Sequence, residues 1–222
     1  MNRAVDQART GTGTAPAGGP DVTLEPEDLA GTWDAQLEAW LADAKAAEVP
    51  EPTAMVLATV DMEGSPSTRT VLCKGIDSRG IVFYTNYTSA KSRDLRSNQQ
   101  ASVTFPWYGL KRQVHLHGKV EQVSREETAA YWATRPRGSQ LGAWASPQSV
   151  VLSARRVLDD SAEAIARKFA DSETVPVPPH WGGWLLRPDR IEFWQGRRDR
   201  LHDRLRYEHT SDRRWVIRRL GP

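Results

Sequence analysis

Hydrophobic and polar positions change their period along this chain. From Thr32, a hydroxyl placed to cap a helix, Trp33, Leu37, Trp40, Leu41 and Ala44 recur at helical spacing until Pro50 and Pro52 end the pattern. That spacing predicts one amphipathic helix. The period then falls to two. AMVLATVDMEGSPSTRTVLCKGIDSRGIVFYTN holds three β-rich runs, about 54–61, 67–75 and 80–85, separated by glycine-containing turns, and predicts an antiparallel meander. TSAKSRDLRSNQQ reads as a short helix capped by Thr88 or Ser89, and the strands ASVTFPW and KRQVHLHGKVEQV follow. Ser124 and Glu127 form a capping-box pair and Pro136 follows the final turn, so a helix is expected over about 125–135. Leu158, Ala162, Ile165 and Phe169 mark one face of a surface helix within 153–170, and SETVPVPPH is a stiff loop. GGWLLRP, RIEFWQ, RLHDRLRY and RWVIRRL return to strand patterning without any repeat period. Strands clustered with peripheral helices predict a mainly β, α+β domain such as a barrel, not a parallel doubly wound sheet.

Composition narrows the class. MNRAVDQARTGTGTAPAGGPDVT has almost no large apolar residue, too little to offset the entropy of ordering. Residues 1 to about 24 are therefore read as a flexible tail, and 25–222 as one domain. The chain has 222 residues, 39% of them hydrophobic and nine of them Trp, ample for a core. A formal net charge of +2 does not demand nucleic acid or an acidic membrane as partner. The charge is uneven, with ten acids and three bases over 1–60 but eleven Arg and six acids over 187–222. Cys73 is the single cysteine, so no internal disulfide forms and a reducing, cytoplasmic location is expected. No apolar run approaches the ~20 residues of a membrane helix, and no secretion signal opens the chain.

The basic end raises the question of chemistry. EFWQGRRDRLHDRLRY, residues 192–207, holds five arginines and one histidine in sixteen positions. Read as a strand from residue 200, it places Arg200, His202, Arg204 and Arg206 on one face and Leu201, Asp203, Leu205 and Tyr207 on the other. Such a row fits a solvated edge strand guarded by charge, a nucleic-acid patch or an anion site. Asp199 and Asp203 interrupt it and no nucleic-acid motif accompanies it, which counts against the second reading. Tyr131 and Arg135 are four apart on the expected helix, with Ser139 just beyond the Pro136 turn. A phenol, a guanidinium and a hydroxyl suit the oxygens of a phosphate, although a helix C-terminus opposes an anion. Alone, the trio fits an ordinary surface Arg beside a half-buried Tyr better than it fits a phosphate site. Arg69 and Lys74 have opposite strand parity and are expected to face different sides unless a bulge intervenes. His115 and His117 share a strand face but lack a third ligand, so no metal is expected. Cys73 lies in an apolar strand and reads as core, not nucleophile. P-loop, G-x-G-x-x-G and G-x-S-x-G motifs are missing from the sequence.

Longer motifs are more specific. TRTVLCK, FYTN, FPWYGLKRQVHLHGKV, YWATRPRGSQLGAWASPQS, WGGWLLRPDRIEFWQGRRDRLHDRLRY and the terminal WVIRRLGP run in order from about Trp33 to Pro222. Together they resemble the pyridoxine/pyridoxamine 5'-phosphate oxidase family. The resemblance implies an FMN-binding split β-barrel with peripheral helices, a homodimer with FMN at the subunit interface. Carried over by motif, Arg69, Thr70, Val71, Leu72, Cys73, Lys74, Tyr84, Thr85, Lys91, Gln113, Gln148, Ser149, Trp194 and Arg204 are the expected FMN contacts. Lys74, Tyr131, Arg135 and Ser139 are expected to hold the substrate phosphate, and Arg200 and His202, the implied catalytic pair, to lie over the pyridine ring.

The implied reaction oxidises the C4' alcohol of pyridoxine 5'-phosphate, or the C4' amine of pyridoxamine 5'-phosphate, to pyridoxal 5'-phosphate, with dioxygen reduced to hydrogen peroxide. Two departures stand out. The family's consecutive basic pair reads Ala90-Lys91 here, and its N-terminal Arg-x-Tyr segment has no counterpart before Trp33. Rival readings are a phenazine-biosynthesis type of flavin oxidase and a non-catalytic flavin- or pyridoxal-phosphate-binding protein.

Overall fold

Alternation of inward and outward side chains on the long strands builds the core, as a period of two demands. The computed structural model describes residues 23–212 and 214–222. The tail expected over residues 1 to about 24 lies outside them except at its end, where Leu24 is buried and its N–H donates to Asp203 Oδ2. In chain order the elements are α1 (Trp33–Ala46), β1 (Ala54–Val60), β2 (Pro66–Leu72), β3 (Gly75–Asp77), β4 (Gly80–Asn86), α2 (Ala90–Ser97), β5 (Gln100–Trp107) and β6 (Arg112–Gln122). They continue with α3 (Arg125–Ala133), α4 (Arg137–Ala145), α5 (Arg155–Lys168), β7 (Trp181–Gln195), β8 (Asp203–His209) and β9 (Trp215–Arg219). The strands form one antiparallel sheet in the order β2-β1-β5-β6-β7-β4-β3, extended from β7 by β8 and then β9. It curls into a half-barrel, the mainly β split barrel that the sequence implies. Among the described residues no helix is long and apolar enough to cross a membrane.

The inward faces meet α1. Met55 and Leu57 of β1, Val103 and Phe105 of β5, Val114 and Leu116 of β6, and Ile191 and Phe193 of β7 are all buried in one cluster with Leu37 and Trp40, the Trp40 ring standing edge-on to Phe193 at 5.1 Å. As expected, Thr32 caps α1 and accepts from the Ala35 N–H, and Trp33, Leu37, Trp40, Leu41 and Ala44 are buried. Ser124 likewise caps α3 by accepting from the Glu127 N–H. A second cluster of Trp132, Phe169, Val175 and Trp181 lies under α3, α4 and α5.

Three expectations are corrected. The runs over 54–85 do not form a meander, because β4 pairs with β3 and β7 while β2 sits at the other end of the sheet order. The 67–75 run breaks where its partners change: the Cys73 N–H donates to Thr53 O and the Lys74 N–H to Val82 O. Pro136 follows the end of α3, as expected, but also caps α4, which the sequence reading missed; proline fits the start of a helix, where its absent N–H has no partner to lose. GGWLLRP and RIEFWQ are one strand, β7, which keeps Pro188 by placing it opposite Gly118 at a register shift where Asp189 is the extra, unpaired residue of β7. A Cβ on Gly118 would strike Arg187 O and Pro188 Cα.

A buried cation ties helix to sheet. Arg112, only 3% exposed, donates from Nη1 to Asp43 Oδ2 at 2.6 Å and from Nε to Gln195 Oε1 at 2.9 Å, with its guanidinium 4.4 Å from the Trp40 ring centroid. Gln195 Nε2 in turn donates to Lys111 O. Removing the carboxylate strands a desolvated charge, so Asp43→Ala is expected to destabilise the fold by about 3 kcal/mol. Urea denaturation measures this as a lowered midpoint with an unchanged slope.

Candidate active site

Consecutive residues of β4 point to opposite sides, and each side has become an anion-suited corner. Thr85 faces α2. Its hydroxyl donates to Gln148 Oε1 at 2.8 Å, and Lys91 Nζ donates to the same oxygen at 2.8 Å and to Thr85 Oγ1 at 3.2 Å. Lys91 is 9% exposed and lies in the first turn of α2, behind Ser89 at the N-cap. Among the described residues no carboxylate pairs with it. Burial first, and then the nearby Arg69 charge, pull its pKa down to about 8. Arg69 donates to Thr59 Oγ1 at 2.6 Å and lies 3.7 Å from Asp94, so its charge is partly met within the chain. Ser149, next to Gln148, holds φ at 68°, a region non-glycine residues adopt only when their surroundings impose it.

Tyr84 faces the other way, onto an aromatic stack. Its ring lies 4.0 Å from Tyr131 at an interplanar angle of 15° and 5.4 Å from Trp181. The Arg135 guanidinium sits 4.7 Å over the Trp181 ring, and Nη2 donates to Ser139 O at 2.9 Å. Tyr131, Arg135 and Ser139 therefore converge as helical spacing suggested. The dipole argument changes, however. Arg135 lies between the end of α3 and the start of α4, so the positive end of α4 offsets the negative end of α3. Burial pushes Tyr84 up to about 12 and raises Tyr131 as well, which leaves both phenols protonated donors at neutral pH.

The TRTVLCK segment leads to the seam of the sheet. Thr70 is exposed, and Val71 and Leu72 are half-buried on β2. Cys73 is buried and burial pushes its thiol up to about 11, so it is core and not a thiolate. Lys74 is exposed beside β4, its N–H donating to Val82 O, and among the described residues its ammonium forms no ion pair.

The remaining expected residues gather elsewhere. Gln113 on β6, Trp194 on β7 and Arg204 on β8 lie side by side across three strands. The His202 ring is 4.5 Å from Trp194, and its Nδ1 accepts the Arg197 N–H at 3.0 Å, which puts the ring proton on Nε2. A cleft of about 300 Å³ is lined by Gln113, Trp194 and His202 together with Tyr108, Lys111 and Arg197. Sequence reasoning missed the last three; the only signal was their place inside FPWYGLKRQ and GRRDR.

The expected row of cations is corrected here. β8 begins at Asp203, so Arg204 and Arg206 alternate with buried Leu205 and Tyr207, but Arg200 and His202 precede the strand. Asp199 and Arg200 hold φ at 55° and 62°, a turn no alternation rule anticipates. Arg204 is not a free cation: it donates to both oxygens of Glu192, at 2.8 and 3.0 Å. His115 bonds Thr104, and His117 lies 3.0 Å from Asp189. Among the described residues no three His, Cys, Asp or Glu side chains come together as a metal site.

These two groups stand at opposite ends of β7. Trp181 to Trp194 spans about 40 Å of extended chain. A curled antiparallel half-barrel carrying anion-suited corners at one end and a tryptophan–histidine cleft at the other defines a split-barrel protein. A protein of that class, a pyridoxamine 5'-phosphate oxidase-related, FMN-binding protein from Nostoc punctiforme, shares the fold at a TM-score of 0.69 and 17% identity, over 90% of this chain and 100% of that one. Residues 41–169 match the pyridoxamine 5'-phosphate oxidase family, and 181–222 match the pyridoxine 5'-phosphate oxidase C-terminal dimerisation region. The chain is 59% identical to the pyridoxine/pyridoxamine 5'-phosphate oxidase of Saccharopolyspora erythraea, over 90% of both chains, and 53% identical to that of Salinispora arenicola, over 91% of both. The structure of PhzG from Burkholderia lata, in complex with tetrahydrophenazine-1-carboxylic acid, matches at a TM-score of 0.84 and 33% identity over 92% of this chain and 100% of that one. The chain belongs to the pyridoxine/pyridoxamine 5'-phosphate oxidase family.

The Lys91 corner makes its anion affinity pH-dependent if it takes a phosphate. A phosphate bound there would meet the ammonium form, so its affinity is expected to fall by up to about tenfold per unit as pH rises above about 8. Calorimetric titration with inorganic phosphate on either side of that pH measures the slope, and Lys91→Met is expected to abolish it.

Proposed function

We propose that this chain is an FMN-dependent oxidase that converts pyridoxine 5'-phosphate or pyridoxamine 5'-phosphate to pyridoxal 5'-phosphate, with dioxygen reduced to hydrogen peroxide, and that it works in the cytoplasm as a homodimer. The observation that carries this reading is the pair of anion-suited corners on the two sides of β4, one built on Lys91 and one on Arg135. Two phosphorylated molecules, cofactor and substrate, are what such a pair fits. A buried ammonium with hydroxyl and amide partners but no carboxylate is suited to the FMN phosphate. FMN, when bound, supplies the two-electron acceptor that dioxygen restores.

In this reading Arg69, Thr85, Lys91, Gln148 and Ser149 hold the flavin phosphate, and the Thr70–Lys74 segment and Tyr84 line the rest of that half. Gln113, Trp194 and Arg204 come from a second copy. The distance along β7 supports two copies, since one small ligand cannot touch both ends. So does the division of family matches, because Trp194, Arg200, His202 and Arg204 all fall in the dimerisation region. Exposed apolar residues flank each half as well, Val150 and Val151 beside Ser149, and Tyr108 and Leu201 beside Trp194.

Lys74, Tyr131, Arg135 and Ser139 bind the substrate phosphate in this reading. Arg200 and His202 of the second copy orient the pyridine ring so that C4' faces the flavin, with His202 Nε2–H as a donor. A vitamer without phosphate leaves the half-buried Arg135 charge without an anionic partner, which selects for phosphorylated substrates. The likeness to PhzG favours a second reading, an oxidase acting on a larger, unphosphorylated tricycle.

An oxidase assay with pyridoxine phosphate, pyridoxamine phosphate and unphosphorylated pyridoxine separates these readings. Peroxide is expected from the first two, with kcat/KM for unphosphorylated pyridoxine lower by about a hundredfold or more. No turnover of any of the three by FMN-loaded protein overturns the proposal. Arg135→Ala is expected to raise KM for pyridoxine phosphate with FMN still bound, and Arg200→Ala to lower kcat/KM by about tenfold or more. Steady-state kinetics and flavin absorbance check both.

A further inference from the structure

The connection between β7 and β8 carries Arg200 and His202 on a backbone with two successive positive-φ residues, Asp199 and Arg200. Such strain persists only where the surroundings over-determine the conformation. The restraints can be traced. The Gly196 N–H donates to Lys111 O at 2.7 Å, the Arg197 N–H to His202 Nδ1 at 3.0 Å, and the Leu201 N–H to Arg198 O at 3.1 Å. The Arg197 side chain is anchored as well, with Nε 3.6 Å from Asp203 Oδ2 and Nη2 donating to Thr23 Oγ1 at 3.4 Å.

Asp203 is the centre of this network. Its residue is 7% exposed, on the core-facing side of β8 with Leu205 and Tyr207. Oδ2 accepts the Leu24 N–H at 3.1 Å, and Oδ1 accepts from Arg219 Nη1 at 2.8 Å. Arg219 Nη2 donates back to Leu24 O at 2.7 Å and to Glu25 Oε2 at 2.6 Å. A carboxylate this buried is unfavourable unless fully paired. Here its partners are two guanidiniums and one amide, and one of those guanidiniums belongs to the residue whose backbone holds His202.

We propose that Asp203 is a positioning residue: through Arg197 it fixes the His202 imidazole and the strained turn that presents Arg200. The roles of Arg200 and His202 rest on the oxidase reading, whereas the mechanics of the loop do not. With Asp203 neutralised, Arg197 loses its anchor, the bond to Nδ1 is no longer enforced, and the turn relaxes from its positive-φ conformation. Arg219 makes the control, because its loss frees the N-terminal segment but leaves Arg197 beside Asp203.

The test compares Asp203→Asn, Arg197→Gln and Arg219→Gln in the full chain, by hydrogen–deuterium exchange over 196–203 and by steady-state kinetics with pyridoxine phosphate. Asp203→Asn and Arg197→Gln are expected to speed exchange at 197 and 201 by about tenfold or more while β6 amides stay protected. Both are expected to lower kcat/KM by about tenfold or more with flavin retained, and their double variant to lose little beyond either alone. Arg219→Gln is expected to keep kcat/KM within about twofold. Unchanged exchange in both loop variants, or an equal kinetic loss in Arg219→Gln, overturns the proposal. If Asp203→Asn does not fold, Arg197→Gln carries the same two outcomes. A wild-type chain without oxidase activity instead sinks the functional reading, and the exchange comparison still decides the role of Asp203.

Discussion

Everything in this molecule hangs on one strand being long enough to do three jobs. β7 pairs with β4 along its first part, with β8 along its last, and with β6 along most of its length. A 15-residue strand with a proline inside it stays paired because the ladder shifts register beside Gly118, where Asp189 is the extra residue on β7 and a side chain on Gly118 would collide with β7 backbone. The concession is local but its effect is global. One end of β7 brings Trp181 beneath Tyr84, Tyr131 and Arg135, and the other brings Trp194 to Gln113, Arg204 and His202.

The cations of the structure divide according to what neutralises them. Arg112 is met by Asp43, Gln195 and the Trp40 ring, and Arg204 by both oxygens of Glu192. These charges are satisfied inside the chain. Among the described residues Lys91 is hydrogen-bonded only to hydroxyl and amide partners, with no carboxylate in ion-pair reach, and burial lowers its pKa. A buried charge left in that condition is costly unless something from outside completes it. Burial with incomplete pairing, more than the density of Arg and Lys along the sequence, marks where an anion belongs.

Legibility in the sequence followed the range of the interactions involved. The α1 stripe, the Thr32 and Ser124 caps and the alternation of β5 and β6 were readable because each depends on residues a few positions apart. The Tyr131–Arg135 pair was readable for the same reason. The break between β2 and β3 was not, since it is decided by Thr53 and Val82, residues distant in sequence or across a strand. α4 was hidden because Pro136 is an equally good ending and beginning. The turn at Asp199 and Arg200 contains no glycine to announce positive φ, so alternation was carried through it wrongly. The Lys91–Thr85–Gln148 corner unites residues up to 63 positions apart, and only the family resemblance pointed to it.

The seam at Cys73 and Lys74 limits how this chain can change. Two adjacent amides are committed to different neighbours, one to Thr53 and the next to Val82. A one-residue insertion or deletion there would put one of the two strands out of step with its partner and turn its side chains to the wrong face. Substitutions can be absorbed at this point; changes of length cannot. The spacing between Arg69 on one side and Lys74 on the other is thus set by carpentry before any ligand has a say: the joint admits new side chains but no new residues.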